Sequence, residues 1–348
     1  MDFDVVIATR NRPDALALSL PLLIGQSRPP AQIIIIDSSD DTEAVDAAVD
    51  RVVRDTGYPI RLERGPRGSS HQRNRGIALA TAPVIFFPDD DSLCYPGTTA
   101  ALMEIYERDA ERRIAGICAT DALVPPPGVD LGQSYAMDAT HAGQARRMGM
   151  RHRMEKALTD LNPFLALGQA LMRQQPAPEW IAEYDAVPVE WMTGYRMSFR
   201  AEVIRETGFE ETFAGYGLYE DIDASFSALR CGALVGAHRA AIYHHRFPNG
   251  RPDRFAFAAM SIVNRGHVIA KQTAEGRLPV AETRAIRRKA QNYARLRMLS
   301  LLPRLRSAPA REDFRGSRAG LAMLDRLFAA RPEDLPAVYA GVMRDLGL

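Results

Sequence analysis

Short apolar runs recur along the first third of the chain, each too short for a helix of ordinary length and each followed by a polar turn. Val5 to Ala8, Ile33 to Ile36 and Val84 to Phe87 are rich in β-branched and aromatic residues, which predicts buried strands. Between them the apolar positions take helical spacing: Leu16, Leu20, Leu23 and Ile24 after Pro13, then Ala44, Val45, Ala48, Val49 and Val52. Pro13 suits the first position of a helix, where its missing N–H would have no intrahelical partner, and Asn11 or Arg12 stands near the cap. Ile60 to Leu62 reads as a shorter edge strand, and about His71 to Ala80 as a helix. Strands and helices alternating at this spacing imply βαβ units and a mainly parallel sheet flanked by helices, an α/β fold.

A helix after Pro96 and a strand at Ile114 to Ala119 continue the alternation, which then breaks. From about Val124 to Val187 the chain is Pro-rich at its start, rich in Met and Arg in the middle, and without strand patterning; it reads as a largely helical insertion. Patterning resumes at Glu190, with a short helix over Ala201 to Thr207, a Gly-rich loop at Phe213 to Tyr219, and a helix from Glu220 to Arg230 stopped by Gly232. Two short strands follow, Ala233 to Gly236 and Ala241 to His244, and the remainder from about Arg251 is helical. The expected segments are therefore 1–123, an insertion 124–187, 188–250, and a C-terminal extension 251–348.

The 348 residues suffice for one large or two ordinary domains, and 46% hydrophobic with 25% charged residues is ordinary for a soluble globular protein. A net charge of +1 argues against a dedicated nucleic-acid binder. Cys94, Cys118 and Cys231 are widely spaced and odd in number, which fits neither a disulfide framework nor a zinc site and suits a reducing cytoplasm. A strand-like segment begins at Asp4, where a signal peptide would lie, and the longest apolar stretch, Leu16 to Ile24, is too short to span a bilayer. The near-neutral total hides an imbalance, because residues 284–318 carry about eleven basic side chains against two acidic ones, interleaved with leucines. That stretch could rest peripherally on the anionic inner face of a membrane, or pack as a helix with a solvated basic face.

Candidate chemistry gathers where predicted strands end. Val84 to Phe87 runs through Pro88 into Asp89, Asp90 and Asp91; Ile33 to Ile36 runs into Asp37; and Val5 to Ala8 runs into the Thr9-Arg10-Asn11-Arg12 turn. In open α/β sheets ligands bind beyond the carboxyl ends of the strands. Adjacent carboxylates repel and call for a cation, and alternate ones such as Asp89 and Asp91 could hold a divalent ion, while Asp37 could accept from a base N–H. Neither GxGxxG nor GxxxxGK[ST] follows the first strand, so a dinucleotide-binding Rossmann fold and a P-loop ATPase are both disfavoured. Glu220 and Asp221 open a helix, whose dipole favours their ionised form, as a general base requires. Of His244 and His245, neighbours on a strand that point to opposite faces, one could complete a shell for Mn²⁺ or Mg²⁺.

Taken together, Val5-Val-Ile-Ala-Thr-Arg-Asn-Arg-Pro13, Asp37, Gln72-Arg-Asn-Arg-Gly76, Phe87-Pro-Asp-Asp-Asp91, and Met197-Ser-Phe-Arg200 leading to Tyr219-Glu-Asp-Ile-Asp223 resemble a family 2 glycosyltransferase of the GT-A fold. The resemblance covers residues 4 to about 120 and 190 to 247. It implies a nucleotide-sugar-binding half in 1–123 and an acceptor and catalytic half in 188–250, with Asp37 and Arg73 at the nucleobase. Asp89, Asp90 and Asp91, the DXD-like motif, would meet the ribose and a metal-bound diphosphate, and Asp221 would be the catalytic base beside Glu220. The expected activity is metal-dependent, inverting transfer from a nucleoside-diphosphate sugar, uridine first, to a saccharide or lipid-linked saccharide, as in polysaccharide biosynthesis. Rival readings are a nucleotidyltransferase that makes a sugar nucleotide, a retaining transferase on the same fold, and a nucleotide-sugar-binding protein without activity.

Overall fold

The structure, a computed structural model, describes residues 1–129, 131, 161–213, 216–247, 253–274 and 276–348. Within the expected insertion, residues 130 and 132–160 lie outside the described residues, as do Ala214 and Gly215 of the Gly-rich loop. The contacts divide the chain into two compact units, residues 1–126 with 168–251, and residues 127–167 with 252–348. Thus 168–187, read from the sequence as part of the insertion, groups with the α/β unit.

That unit is built on β1 (Phe3–Thr9), α1 (Pro13–Ile24), β2 (Gln32–Asp37), α2 (Thr42–Thr56), β3 (Ile60–Arg64), α3 (Ser69–Leu79), β4 (Val84–Pro88), β5 (Ser92–Cys94), α4 (Thr98–Arg108) and β6 (Ile114–Asp121). After α5 (Pro163–Met172) come β7 (Ala186–Pro188), β8 (Arg196–Arg200), α6 (Ala201–Thr207), α7 (Glu220–Ala228) and β9 (Ala233–His244). The described strands form one sheet in the order β3-β2-β1-β4-β8-β6-β9-β5, with β7 on β9. β1 to β4 are mutually parallel, and β8 enters antiparallel between β4 and β6.

Register explains why the carboxylates meet. Thr9 pairs with Asp37 and Asp37 with Arg64, so three strands end level. Because β8 runs the other way, with Pro88 opposite Arg196, the segment before β8 reaches the same edge. β5 lays Ser92 opposite His244, which brings the end of β9 beside Asp91. Val5, Ile7, Ile33, Ile35, Val84 and Phe86 are fully buried under α1 and α2 residues such as Leu16, Leu20 and Val45. The sequence patterning of this half therefore reflects two-sided burial of parallel strands.

Two details depart from the expected elements. The two short strands proposed for 233–244 are one strand: Ala119 pairs with Ala237 but Thr120 with Ala241, so His238 to Ala240 bulge without ending it. A three-residue strand, β7, occurs in a stretch that carries no strand pattern, because it is too short to show alternation.

The second unit is helical among its described residues, with α8 (Arg254–Gln272), α9 (Val280–Leu299), α10 (Ala308–Ala329) and α11 (Leu335–Asp345). α8 and α10 lie close because Gly316 and Gly320 face the backbone carbonyls of Phe255 and Ala259, where a Cβ would fall 2.3 and 2.9 Å from oxygen. Among the described residues no helix is long and apolar enough to cross a membrane.

Candidate active site

Thr9, ending β1, donates its hydroxyl to Asp90 Oδ2 at 2.7 Å, and Arg12 Nη1 donates to Asp90 Oδ1 at 3.1 Å. Arg12 is carried by the sharp turn before α1, in which Asn11 takes a left-handed conformation with φ of 55°. Asn11 braces that turn to the next one: its side-chain oxygen accepts from Asp40 N at 2.9 Å and its amide donates to Asp40 Oδ2 at 2.8 Å. Gln72 ties the strand ends from below, donating to Thr9 O at 2.8 Å and Ile36 O at 2.7 Å.

Asp37 is wholly buried. Its Oδ1 accepts from Ser39 N at 2.9 Å and from the Ser39 hydroxyl, and its Oδ2 receives Arg64, whose guanidinium also reaches Asp46. Arg64 is 41% exposed, so it is the solvent-facing lid of the buried carboxylate.

The three consecutive aspartates part company. Asp90 turns inward to Thr9 and Arg12, and burial together with the neighbouring Asp91 charge raises its pKa. Asp91 is also buried, which acts to raise its pKa, but His244, the Phe247 N–H at 3.0 Å and Arg12 outweigh that and hold it below the usual carboxylate range. Its other oxygen, Oδ1, is buried without a hydrogen bond of good geometry among the described residues and faces His244 Nε2 at 3.3 Å. Asp89, Asp91 and His244 each offer one ligand atom, all within 4.8 Å of one another. Two hard oxygens and an imidazole, one oxygen buried and under-satisfied, fit a divalent ion such as Mn²⁺ or Mg²⁺. His245, named beside His244 from the sequence, does not join the group; its ring packs edge-on against Phe247 at 4.9 Å. Tyr195 stacks on His244 at 4.3 Å and 17°, which fixes the imidazole plane.

Glu220 and Asp221 face different surroundings although they are adjacent. Glu220 is buried, and its oxygens receive the Ser70 hydroxyl and the Arg73 guanidinium. Arg73 is buried as well and spans the two carboxylate groups, with Nη1 on Glu220 and Nη2 on Asp89 Oδ1 at 2.7 Å. Asp221 keeps partial exposure, and its Oδ2 accepts the Gly194 N–H at 2.9 Å from the segment before β8. Burial and the Glu220 charge raise the Asp221 pKa to about 6, against the opposing pull of Gly194 N–H and Arg73. α7, which carries the pair, starts after Tyr219 in a left-handed conformation with φ of 74°. Gly217 has no room for a side chain, since a Cβ would lie 2.4 Å from Glu220 Oε2 and 2.5 Å from Ser69 Oγ.

The candidate catalytic, nucleotide and metal residues singled out from the sequence thus lie in the α/β unit, and Thr9, Arg12, Arg73, Asp89, Asp90, Asp91, His244, Glu220 and Asp221 form one connected array; Asp37 joins it through the strand ends bridged by Gln72. Ser70, Tyr195, Gly194 and Arg64 were not anticipated. Gly194 acts through its backbone and gives no side-chain signal, and Arg64 stands 27 residues from the aspartate it covers.

A mixed sheet with flanking helices, and carboxylates at the C-terminal ends of its parallel strands, matches the GT-A glycosyltransferase fold. The chain belongs to glycosyl transferase family 2, whose model matches residues 4–177, and it is a glycosyltransferase. Among solved structures it is similar to the mannosyltransferase PcManGT of Pyrobaculum calidifontis in complex with GDP-Man and Mn²⁺, at 15% identity and TM-score 0.53, covering 99% of this chain and 86% of that one. It is likewise similar to S. aureus TarS 1-349, at 14% identity and TM-score 0.52, covering 100% of this chain and 92% of that one. No curated protein matches it.

Proposed function

We propose that the enzyme transfers a sugar from a nucleoside-diphosphate sugar, a UDP-sugar first, to a hydroxyl of a saccharide or lipid-linked saccharide by a single inverting displacement. The observation that carries this reading is Asp221: a partly exposed carboxylate, anchored by the Gly194 N–H and raised to about 6, joined through Glu220 and Arg73 to Asp89 of the Asp89–Asp91–His244 donor group. Ionised near neutral pH yet more basic than an ordinary aspartate, Asp221 takes the proton from the acceptor hydroxyl as its oxygen attacks the anomeric carbon.

Glu220 works by position. Engaged on both oxygens by Ser70 and Arg73, it holds Arg73, and its charge lifts the basicity of Asp221. Asp89, Asp91 and His244 would hold the divalent ion, which when bound supplies positive charge against the diphosphate leaving group. Asp37 would receive a base N–H once Arg64 yields one of its oxygens, a requirement met by uracil, thymine and guanine.

Asp221→Asn tests the assignment. Binding of UDP with Mn²⁺, read by calorimetry, should remain near that of the parent, and transfer from a panel of sugar nucleotides should fall by about 10²–10⁴-fold. Unimpaired turnover in that variant would remove Asp221 from the reaction, and absence of nucleoside-diphosphate release by the parent with every donor and acceptor would favour a binding protein.

A further inference from the structure

The helical unit presents a surface that carries none of the residues placed in the active site. α9 packs through Ile286, Ala290 and Ala294, which are buried. Its opposite face carries Arg284, Arg288 and Arg295, all exposed, and then Leu296 and Leu299, 40% and 48% exposed. Positions 284, 288, 295 and 299 recur at helical spacing, so cations and leucines share one side.

The apolar end is displayed by ordered backbone. Beyond Leu299 the chain stays helical in sense through Ser300 and Leu301 into the short 3₁₀ turn Leu302–Arg304, with Leu305 N donating to Leu302 O at 3.3 Å. Three residues per turn leave Leu302, 47% exposed, on the side of Leu299. Arg311 Nη1 clamps the turn to α10 through Leu305 O at 3.1 Å and Arg306 O at 3.0 Å. Leucines held outward on a fixed turn gain nothing from water.

The charge around them is mainly positive; one exposed carboxylate, Asp325 of α10, lies beside α9 and accepts from Gln291 Nε2 at 2.5 Å. The two carboxylates in 284–318, Glu312 and Asp313, are taken up by Arg315 and Arg254. No carboxylate interrupts the exposed face from Arg284 to Leu302. A cationic helix face ending in projecting leucines matches an anionic bilayer, with leucines entering the acyl boundary and guanidinium groups at the phosphates.

We infer that the exposed face of α9 and the turn after it, from Arg284 to Leu302, docks this protein on an anionic lipid surface. The inference stands apart from the donor and acceptor reading, since it uses none of the residues placed in the active site.

Flotation of the full chain with phosphatidylcholine vesicles, with and without phosphatidylglycerol, tests it. The parent should float with the phosphatidylglycerol vesicles, stay in solution with phosphatidylcholine alone, and be released by high salt. Arg284→Glu, Arg288→Glu and Arg295→Glu together should weaken the partition constant by at least about a hundredfold, and Leu299→Gln with Leu302→Gln by about tenfold or more. Unchanged circular dichroism melting of these surface variants and unchanged UDP binding would show that they fold. No flotation of the parent, flotation that the variants leave unaltered, or Leu299- and Leu302-dependent self-association without lipid binding would each overturn the inference. Binding of nucleic acid through the arginines with no affinity for vesicles would overturn it too.

Discussion

Arg73 is the point at which the site is most exposed to a single substitution. Its side chain is 6% exposed and that of Glu220 7%, and between them lies a direct ion pair. Replacing Arg73 by Met keeps the length and the apolar stem but leaves the Glu220 carboxyl buried with the Ser70 hydroxyl as its remaining side-chain partner among the described residues. Breaking a buried pair by removing one partner costs about 3–5 kcal/mol, because the remaining charge has lost both water and counter-ion. For a cooperative unit of this size, about 2–4 °C per kcal/mol converts that loss into a drop in melting temperature of about 6–20 °C. Differential scanning calorimetry of Arg73→Met against the parent measures it.

The pairing itself is tested by Arg73→Met with Glu220→Met. Two well-packed apolar side chains in place of a buried pair are often neutral, so the double variant should regain most of the lost stability. Transfer should not return, since Asp221 loses both neighbours that set its basicity. A loss below about 1 kcal/mol for Arg73→Met, as for a solvent-exposed pair, would refute the reasoning.

Three further outcomes follow from the geometry. Transfer should rise with pH and level off above about 6, losing about tenfold per unit well below it, because the base must be ionised and burial beside Glu220 lifts Asp221 to about 6; a rate flat down to pH 4.5, about a unit and a half below that midpoint, would exclude it as the base. Mn²⁺ at about a hundred times its dissociation constant should stabilise the parent by about 2.7 kcal/mol; in thermal melts Asp91→Asn should abolish the gain and His245→Gln keep it, and equal loss in both would contradict the assigned group. Gly76→Ala sets a Cβ 2.2 Å from Val6 Cγ1 and should cost about 1–3 kcal/mol in urea unfolding, relieved when Val6→Ala is added; an additive pair of losses would rule out the clash.

What the sequence makes legible here is whatever rests on local pattern. Val84 to Phe87 followed by three aspartates announces a buried strand with charge at its end, and Pro13 after an Asn-Arg turn announces a helix start. Pairings across long separations carry no such mark. β8 in the middle of the sheet reverses direction between β4 and β6, and only that reversal brings Gly194 to Asp221. Arg73, read as a nucleobase contact by resemblance, meets Glu220 at a separation of 147 residues. The bulge at His238 to Ala240 looked like a turn because its polar residues are exposed, yet the strand continues through it.

The same distinction accounts for the three aspartates. A run of like charges suggests one shared purpose, but the three lie in a turn between β4 and β5, closed by Ser92 N donating to Asp89 O at 3.0 Å, and the turn sends Asp90 toward Thr9 and Arg12 while Asp89 and Asp91 come to the side of His244. Three cations of the edge each stand between two carboxylates: Arg64 between Asp37 and Asp46, Arg12 between Asp90 and Asp91, and Arg73 between Asp89 and Glu220. These links let many acids crowd one sheet edge without mutual repulsion prevailing. The under-satisfied oxygen of Asp91 facing His244 is the place where that internal neutralisation stops, and a divalent ion would extend it.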